Sequence, residues 1–293
     1  MKNNYIILNG ELIPRQALPL TPDQWIQWGE HTISLTLLAS GNRIPLLSYH
    51  HDLLSKQFDS VGWIIPAKLD LDELKEQFEK LLNKNRSLKG SRIHWIIKPS
   101  LPAEPFAGLT DFSYLAINEE TSFDHFPLNR TGLSIGLSEQ YHNSGEPFYQ
   151  SMIRSRTREL LIRQEGLLNG WDEVILPDPA NCLSESADGN IFLRMDDRIF
   201  TPAPENYPLP RVMYQVVKEI CEDAGIRVEE SALLTEKDLL AADEIFITDD
   251  LHGIRWVMSF QDKRYYRKTA AYLSDLLRLR LQEAGQFQRG FSG

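Results

Sequence analysis

Cysteine is nearly missing from this sequence: Cys182 and Cys221 are the only two, and neither has a C-x-x-C partner. That excludes a disulfide framework and a thiolate zinc site, and both read as packing residues. Long apolar runs are missing as well, and nothing approaches the roughly 18 uninterrupted apolar residues of a membrane-crossing helix. The opening MKNNYIILNGELIP has a short apolar run ended at once by Glu11 and Pro14, unlike a secretory leader. A positive charge balance is absent: 31 basic against 41 acidic residues give a formal charge of −10. Nucleic acid and anionic membranes do not attract a net acid, which argues against either as the main partner. There is no G-x-G-x-x-G after a strand, no G-x-x-x-x-G-K-[ST], no H-E-x-x-H and no G-x-S-x-G, so the common nucleotide, zinc-protease and serine-hydrolase signatures are lacking. His50-His51 is the only adjacent histidine pair. On a helix, neighbours point about 100° apart and chelate poorly, so a solvated pair and no metal are expected. The expected setting is a reduced cytoplasm.

What is present suits a globular chain with a real core: 42% hydrophobic and 25% charged residues over 293 positions. YIILNGELI reads as a hairpin around Asn9-Gly10, and HTISLTLLASGNRIPLL as a second one turning at Ser40-Gly41-Asn42. DLDELKEQFEKLLNKN is a helix with Leu71, Leu74, Phe78, Leu81 and Leu82 on one face, and Asp70 with Glu73 makes a capping-box pattern. RIHWIIK and FSYLAI are strands. The polar, proline-bearing stretch from 118 to 129 reads as a linker, giving an α+β domain over 1–118, a linker over 119–129 and a second α/β domain over 130–293. In that second half an amphipathic helix ends near Asn169-Gly170. GLSIGLS, DEVILP, GNIFLR, RIFTP, IRVEE and EIFITD are strands. RVMYQVVKEICEDAG, TEKDLLAA and TAAYLSDLLRLRLQEAG are helices, the first closed by Gly225.

One order of motifs stands out. In DEVILPDPANCLSESADGNIFLRMDDRIFTP a strand ends in a turn, Glu185 follows, and Asn190-Ile191-Phe192 opens a strand five residues later. Then come LPRVMYQVV and AADEIFITDDLHGI. This order resembles the class IV aminotransferase family, which includes branched-chain and D-amino-acid aminotransferases and aminodeoxychorismate lyase. The resemblance runs over nearly the whole chain, YIILNGELI and WIQWGEHTISLTLLASGNRIPLLSYHHDLL falling where that family has its opening strands, F-G-D-G motif and H-x-x-R-L.

The resemblance implies a two-domain fold type IV architecture, D-amino-acid aminotransferase-like. It also implies pyridoxal phosphate as cofactor and a homodimer with active sites near the subunit contact. Such a site needs a lysine for the imine, a carboxylate at the pyridine nitrogen, and arginine, backbone N–H groups and hydroxyls for the phosphate. Glu185 stands at the carboxylate position, and Thr248 begins the late phosphate-side segment.

The lysine position falls on Met152, counting back from Glu165 and Gly170, or on Arg154 with a shift of two. Neither carries a usable amine, and no lysine occurs between Lys98 and Lys218. Arginine, charged and delocalised, is a very poor imine former. The phosphate side departs too. The arginine of H-x-x-R-L falls on Asp52 or Leu53, and Gly-Ile-Thr-Arg becomes Arg211-Val212-Met213-Tyr214. Asp249 and Asp250 follow Thr248, and F-G-D-G becomes Trp28-Gly29-Glu30-His31.

These losses share one function, which points to release from the cofactor as a whole. The expectation is a family member without a catalytic lysine. It would bind a small carboxylate or phosphate ligand in the interdomain cleft through Arg154, Arg211, Tyr214 and Asp250, with Glu185 nearby. Arg156, Arg158 and Arg163 read as a solvated helix face. One alternative is an active aminotransferase or lyase using a lysine from elsewhere, Lys56 or Lys98. The other is a non-enzymatic partner-binding protein, with Trp25 and Trp28 as interface candidates.

Overall fold

The computed structural model describes residues 4–18, 32–87, 89–99, 111–144, 156–206, 208–209 and 211–287. It divides into two compact units: one takes Met1–His125 with Met152–Arg154 and the chain from Glu283 on, the other Phe126–Ser151 and Ser155–Gln282.

The first unit holds a five-stranded sheet in the order β2-β1-β5-β4-β3. Strands β1 (Tyr5–Leu8) and β2 (Glu11–Pro14) form the expected hairpin. Its turn places Asn9 and Gly10 at φ +51° and +93°, a conformation that Asn and Gly tolerate best. Strand β3 (Ile33–Ser40) does not fold back on a partner of its own. One bridge between Ser40 and Arg43 closes the turn, and the chain then enters helix α1 (Leu47–Ser60). Pro45 has no N–H to extend a ladder. Strand β3 pairs instead over its whole length with β4 (Gly90–Pro99), which pairs with β5 (Phe112–Glu120).

Helix α2 (Leu71–Lys84) buries Leu74, Phe78, Leu81 and Leu82 in one core with Trp95 and Tyr114 of the sheet. The rings of Phe78 and Trp95 meet edge-on at 5.6 Å. Asp70 caps this helix through the N–H of Asp72, at 3.1 Å. The expected capping box with Glu73 does not form, because the Glu73 carboxylate accepts from Gln77 instead. Nor are the paired histidines solvated. His50 is buried in α1, and His51 reaches the Leu69 carbonyl at 3.1 Å.

The second unit holds a nine-stranded sheet, β11-β10-β9-β12-β13-β6-β7-β8, with β14 attached to β13. Its strands are β6 (Leu133–Leu137), β7 (Glu173–Pro177), β8 (Leu183–Ser186), β9 (Asn190–Met195), β10 (Arg198–Pro202), β11 (Val228–Ser231), β12 (Glu244–Asp249), β13 (Gly253–Phe260) and β14 (Lys263–Arg264). Its helices are α3 (Arg156–Asn169), α4 (Val212–Asp223), α5 (Glu236–Ala241) and α6 (Lys268–Phe287). Strands β7 and β12 are buried along their whole length.

Helix α3 ends at Gly170, φ +72°, as its αL end requires. Its amphipathicity is inverted. Leu160, Leu161, Leu167 and Leu168 face outward, while Ile162, Glu165 and Gly166 are turned in. Gly166 lets the helix approach β7, since a Cβ there would meet Val174 at 2.9 Å. The buried Glu165 carboxylate accepts from the Ser138 hydroxyl at 2.6 Å. No described helix is long and apolar enough to cross a membrane.

Candidate functional site

The candidate residues that come together lie in the second unit, where β8, β9 and β12 approach the start of α4. Glu185 sits on β8, in register with Leu176 of β7. Its Oε1 accepts from Asn143 Nδ2 at 3.3 Å, and its Oε2 accepts from the Leu209 N–H at 3.0 Å. The same Oε2 lies 3.6 Å from Nη2 of Arg211. Both charged side chains are buried. Leu209 is held from the other side as well, its carbonyl accepting from Asn190 Nδ2 at 3.2 Å. Glu185 is thus part of the fold and not an exposed turn acid.

Arg211 is the N-cap residue of α4, in extended conformation, and its side chain makes no cap hydrogen bond. The reason is chemical: a guanidinium has donors only, and a helix N-terminus needs an acceptor. Asp250 supplies it from the turn after β12, its Oδ1 accepting from the Met213 N–H at 2.7 Å. A negative charge here also suits the helix dipole.

Thr248 stands opposite Asn190 in the β12–β9 ladder. The strands meet closely at this end, for a Cβ on Gly189 would lie 2.2 Å from the Thr248 carbonyl oxygen. Four buried polar atoms in this corner lack a hydrogen-bond partner among the described residues: Nε and Nη2 of Arg211, Oγ1 of Thr248 and Oδ1 of Asn190. Leaving such an atom unpaired costs about 1–3 kcal/mol, so several together call for a bound group or water.

Asp249 belongs to a different cluster. Its Oδ2 is 2.8 Å from Nε of Arg255, whose Nη2 is 2.6 Å from Glu173 Oε2 and 3.9 Å from Asp188 Oδ2. The Asp249 Oδ1 accepts from the N–H groups of Leu251 and His252 and lies 3.0 Å from His252 Nδ1. Burial opposes ionisation of Asp249, but His252 and Arg255 override it and hold the carboxyl below its ordinary value. Glu173 goes the other way, pushed up to about 7 by burial and the Asp188 charge despite Arg255.

Of the residues expected from the sequence, the structure therefore gathers Glu185, Arg211, Asp250 and Thr248. Tyr214 is turned elsewhere, its hydroxyl donating to Glu230 at 2.7 Å and its ring lying 5.5 Å from Phe192. Met152 and Arg154, like Trp25 and Trp28 to His31, lie outside the described residues. Asp52, Leu53 and Lys56 are on α1, and Lys98 is on β4, in the first unit. Of the α3 arginines, Arg158 donates to the His142 carbonyl at 3.2 Å and Arg163 pairs with Asp188 at 2.6 Å. Cys221 is a core residue whose thiol burial pushes up to about 12. No group of three or more metal-ligating side chains occurs among the described residues.

Sequence reasoning missed Asn143, the Leu209 amide and the Arg255 cluster. Arg255 had a weak signal, a lone cation inside an otherwise buried strand. Asn143 and Leu209 had none, since their role arises only where loops meet.

These features define a chain of mixed helices and sheet, in two units, with a buried carboxylate and arginine at the start of a helix. The sequence matches the family model for amino-transferase class IV over residues 36–260. The chain belongs to the class IV aminotransferase family. It is 22% identical over 254 residues to the branched-chain-amino-acid aminotransferase of Escherichia coli K12, spanning 84% of this chain and 82% of that one. Among solved structures it resembles the branched-chain amino acid aminotransferase of Thermobaculum terrenum in its PLP form. There the TM-score is 0.83 at 15% identity, covering 97% of this chain and 95% of that one. It also resembles a putative 4-amino-4-deoxychorismate lyase from Legionella pneumophila. That match has a TM-score of 0.76 at 20% identity, covering 91% of this chain and 97% of that one. At these identities the likeness speaks for the fold, which is fold type IV, as expected.

Proposed function

We propose that this chain keeps the class IV aminotransferase scaffold, has lost the imine chemistry, and holds a small carboxylate-bearing molecule non-covalently at Arg211. The observation that carries this reading is the incompletely partnered Arg211 guanidinium. It is 9% exposed, and among the described residues its Nε and Nη2 have no hydrogen-bond partner, nor do Thr248 Oγ1 and Asn190 Oδ1 in the same corner. A carboxylate suits a guanidinium because both are planar and can pair through two parallel hydrogen bonds. The hydroxyl of Thr248 can donate to the same ligand, and Asn190 Oδ1 can accept from a ligand N–H or O–H.

Pyridoxal phosphate does not fit the residues present. The positions matching the family lysine hold Met152 or Arg154, and the sequence from 99 to 217 contains no lysine. The carboxylate that would meet the pyridine nitrogen, Glu185, already accepts from Asn143 and Leu209 and faces Arg211. Arg211 would orient a ligand carboxylate, Glu185 would hold Arg211 in place, and the surrounding burial would keep competing water out of that pairing.

One observation favours a second reading, an active enzyme with a displaced amine. Burial lowers the Lys98 pKa below its ordinary value, which raises the fraction of neutral amine that imine formation needs.

The test is a thermal-shift screen of small mono- and dicarboxylates on the full chain and on Arg211→Met. Saturating ligand at about 100 times its Kd should stabilise the native chain by about 2.7 kcal/mol. The folded Arg211→Met variant should show no shift. A carboxylate that stabilises both equally would place its site elsewhere and overturn this assignment.

A further inference from the structure

The N-terminus of α4 is the one described place in this corner where backbone N–H groups point outward at the start of a long helix. Such a terminus ordinarily receives an anion. Here it receives Asp250, whose Oδ1 lies 2.7 Å from the Met213 N–H. Two residues earlier, Arg211 brings a cation to within 3.6 Å of the buried Glu185 carboxylate. An anion on helix N–H groups and a cation on a buried carboxylate are the two charged contacts that a phosphopyridine cofactor would make. Both are made by side chains of this chain.

We propose that the site is filled from within: the Asp250 carboxylate stands in for the phosphate, and the Arg211 guanidinium stands in for the protonated pyridine ring. This rests on the imine-free reading above and goes further. It assigns two exclusions that losing a lysine does not produce.

The electrostatics support each half. A phosphate dianion brought to the Met213 N–H would meet the like-charged Asp250 carboxylate already bonded there and would have to displace it. A protonated ring brought to Glu185 would face the Arg211 cation in the same way. The two replacements also balance one another. Arg211 at the N-cap position removes the usual capping acceptor, and Asp250 restores one. Substituting one without the other leaves either an uncapped helix start or an unscreened charge. A ligand taken at Arg211 would therefore be held by Arg211, Thr248 and Asn190 and not by the helix N–H groups.

Pyridoxamine 5′-phosphate separates this inference from the lysine question. It carries the ring and the phosphate but no aldehyde, so a missing amine does not affect its binding. Calorimetric titration of the full native chain with pyridoxamine 5′-phosphate, and separately with inorganic phosphate, should show no binding to the corner.

Asp250→Gly should acquire inorganic phosphate binding. Arg211→Gly/Asp250→Gly should bind pyridoxamine 5′-phosphate at least about 100-fold more tightly than the native chain, the equivalent of two charge-assisted contacts. Circular dichroism and melting confirm that each variant is folded. If a glycine variant fails to fold, Asp250→Asn, which keeps the hydrogen bond and removes the charge, should still gain about tenfold for inorganic phosphate.

Native chain that binds pyridoxamine 5′-phosphate as tightly as the double variant overturns the proposal. So do folded variants, Asp250→Asn included, that gain nothing. Non-covalent binding of that kind would leave the imine-free reading standing, whereas a covalent adduct with pyridoxal phosphate on the native chain would sink that reading by itself.

Discussion

Arg255 and Arg211 lie in the same unit and are equally buried, 8% and 9% exposed, yet they hold very different company. Arg255 is surrounded by Glu173 at 2.6 Å, Asp249 at 2.8 Å and Asp188 at 3.9 Å. Arg211 has a single carboxylate at 3.6 Å and, among the described residues, no hydrogen-bond partner for Nε or Nη2; Arg255 Nε makes no well-directed hydrogen bond either, but it sits 2.8 Å from the Asp249 carboxylate. A buried charge is tolerated when its partners are complete, so the first arginine reads as part of the scaffold. The second has donor capacity to spare, and that is what a binding site needs. Burial alone does not separate structural from functional charge; the completeness of partnering does.

The contrast makes quantitative demands. Arg255→Met should be the most damaging change, since it leaves Glu173 and Asp249 buried without their cation. A loss of about 3–5 kcal/mol in urea unfolding is expected. The pH profile should follow the same cluster. Folded Glu173 keeps its proton up to about pH 7, against 4.5 for an ordinary glutamate. Between those values the folded state binds more protons, so this group's contribution to stability falls as pH rises through the window. Glu173→Gln should flatten that slope.

Arg211→Met should cost less, about 1–2 kcal/mol, because Glu185 keeps its bonds from Leu209 and Asn143. If it costs as much as Arg255→Met, the distinction between the two arginines is lost. Asp250→Ala should be the mildest of these, about 1 kcal/mol for the lost helix cap, read as a small shift of the urea midpoint.

Much of the fold was legible in the sequence because its signals are local. Asn9-Gly10 fixed one hairpin, the Leu74-Phe78-Leu81 spacing fixed a helix, and Gly170 and Gly225 marked helix ends. What misled was equally local. Ser40-Gly41-Asn42 makes a turn but not a hairpin, because Pro45 follows. LSES carries no strand propensity, yet it forms β8 because β7 offers a partner and every side chain of the segment is buried. The leucines of α3 face outward, although the segment read as an amphipathic helix with its arginines on the solvated side.

At the site, Glu185 was readable as a residue kept from a family pattern, and Arg211 and Asp250 as departures from it. Their mutual arrangement was not. That Asp250 caps α4, that Asn143 and the Leu209 amide hold Glu185, and that Tyr214 turns to Glu230 are contacts between residues far apart in the chain. Periodicity and spacing carry no record of such contacts.

The proposed loss of imine chemistry requires that no amine in this scaffold be placed to form one. The direct measurement is to mix the native chain with one equivalent of pyridoxal phosphate, reduce with borohydride, and read the intact mass and peptide map. An essentially unmodified chain is expected, with only scattered traces on exposed lysines. Near-complete modification of one lysine, with Lys98 the first to inspect, would contradict it.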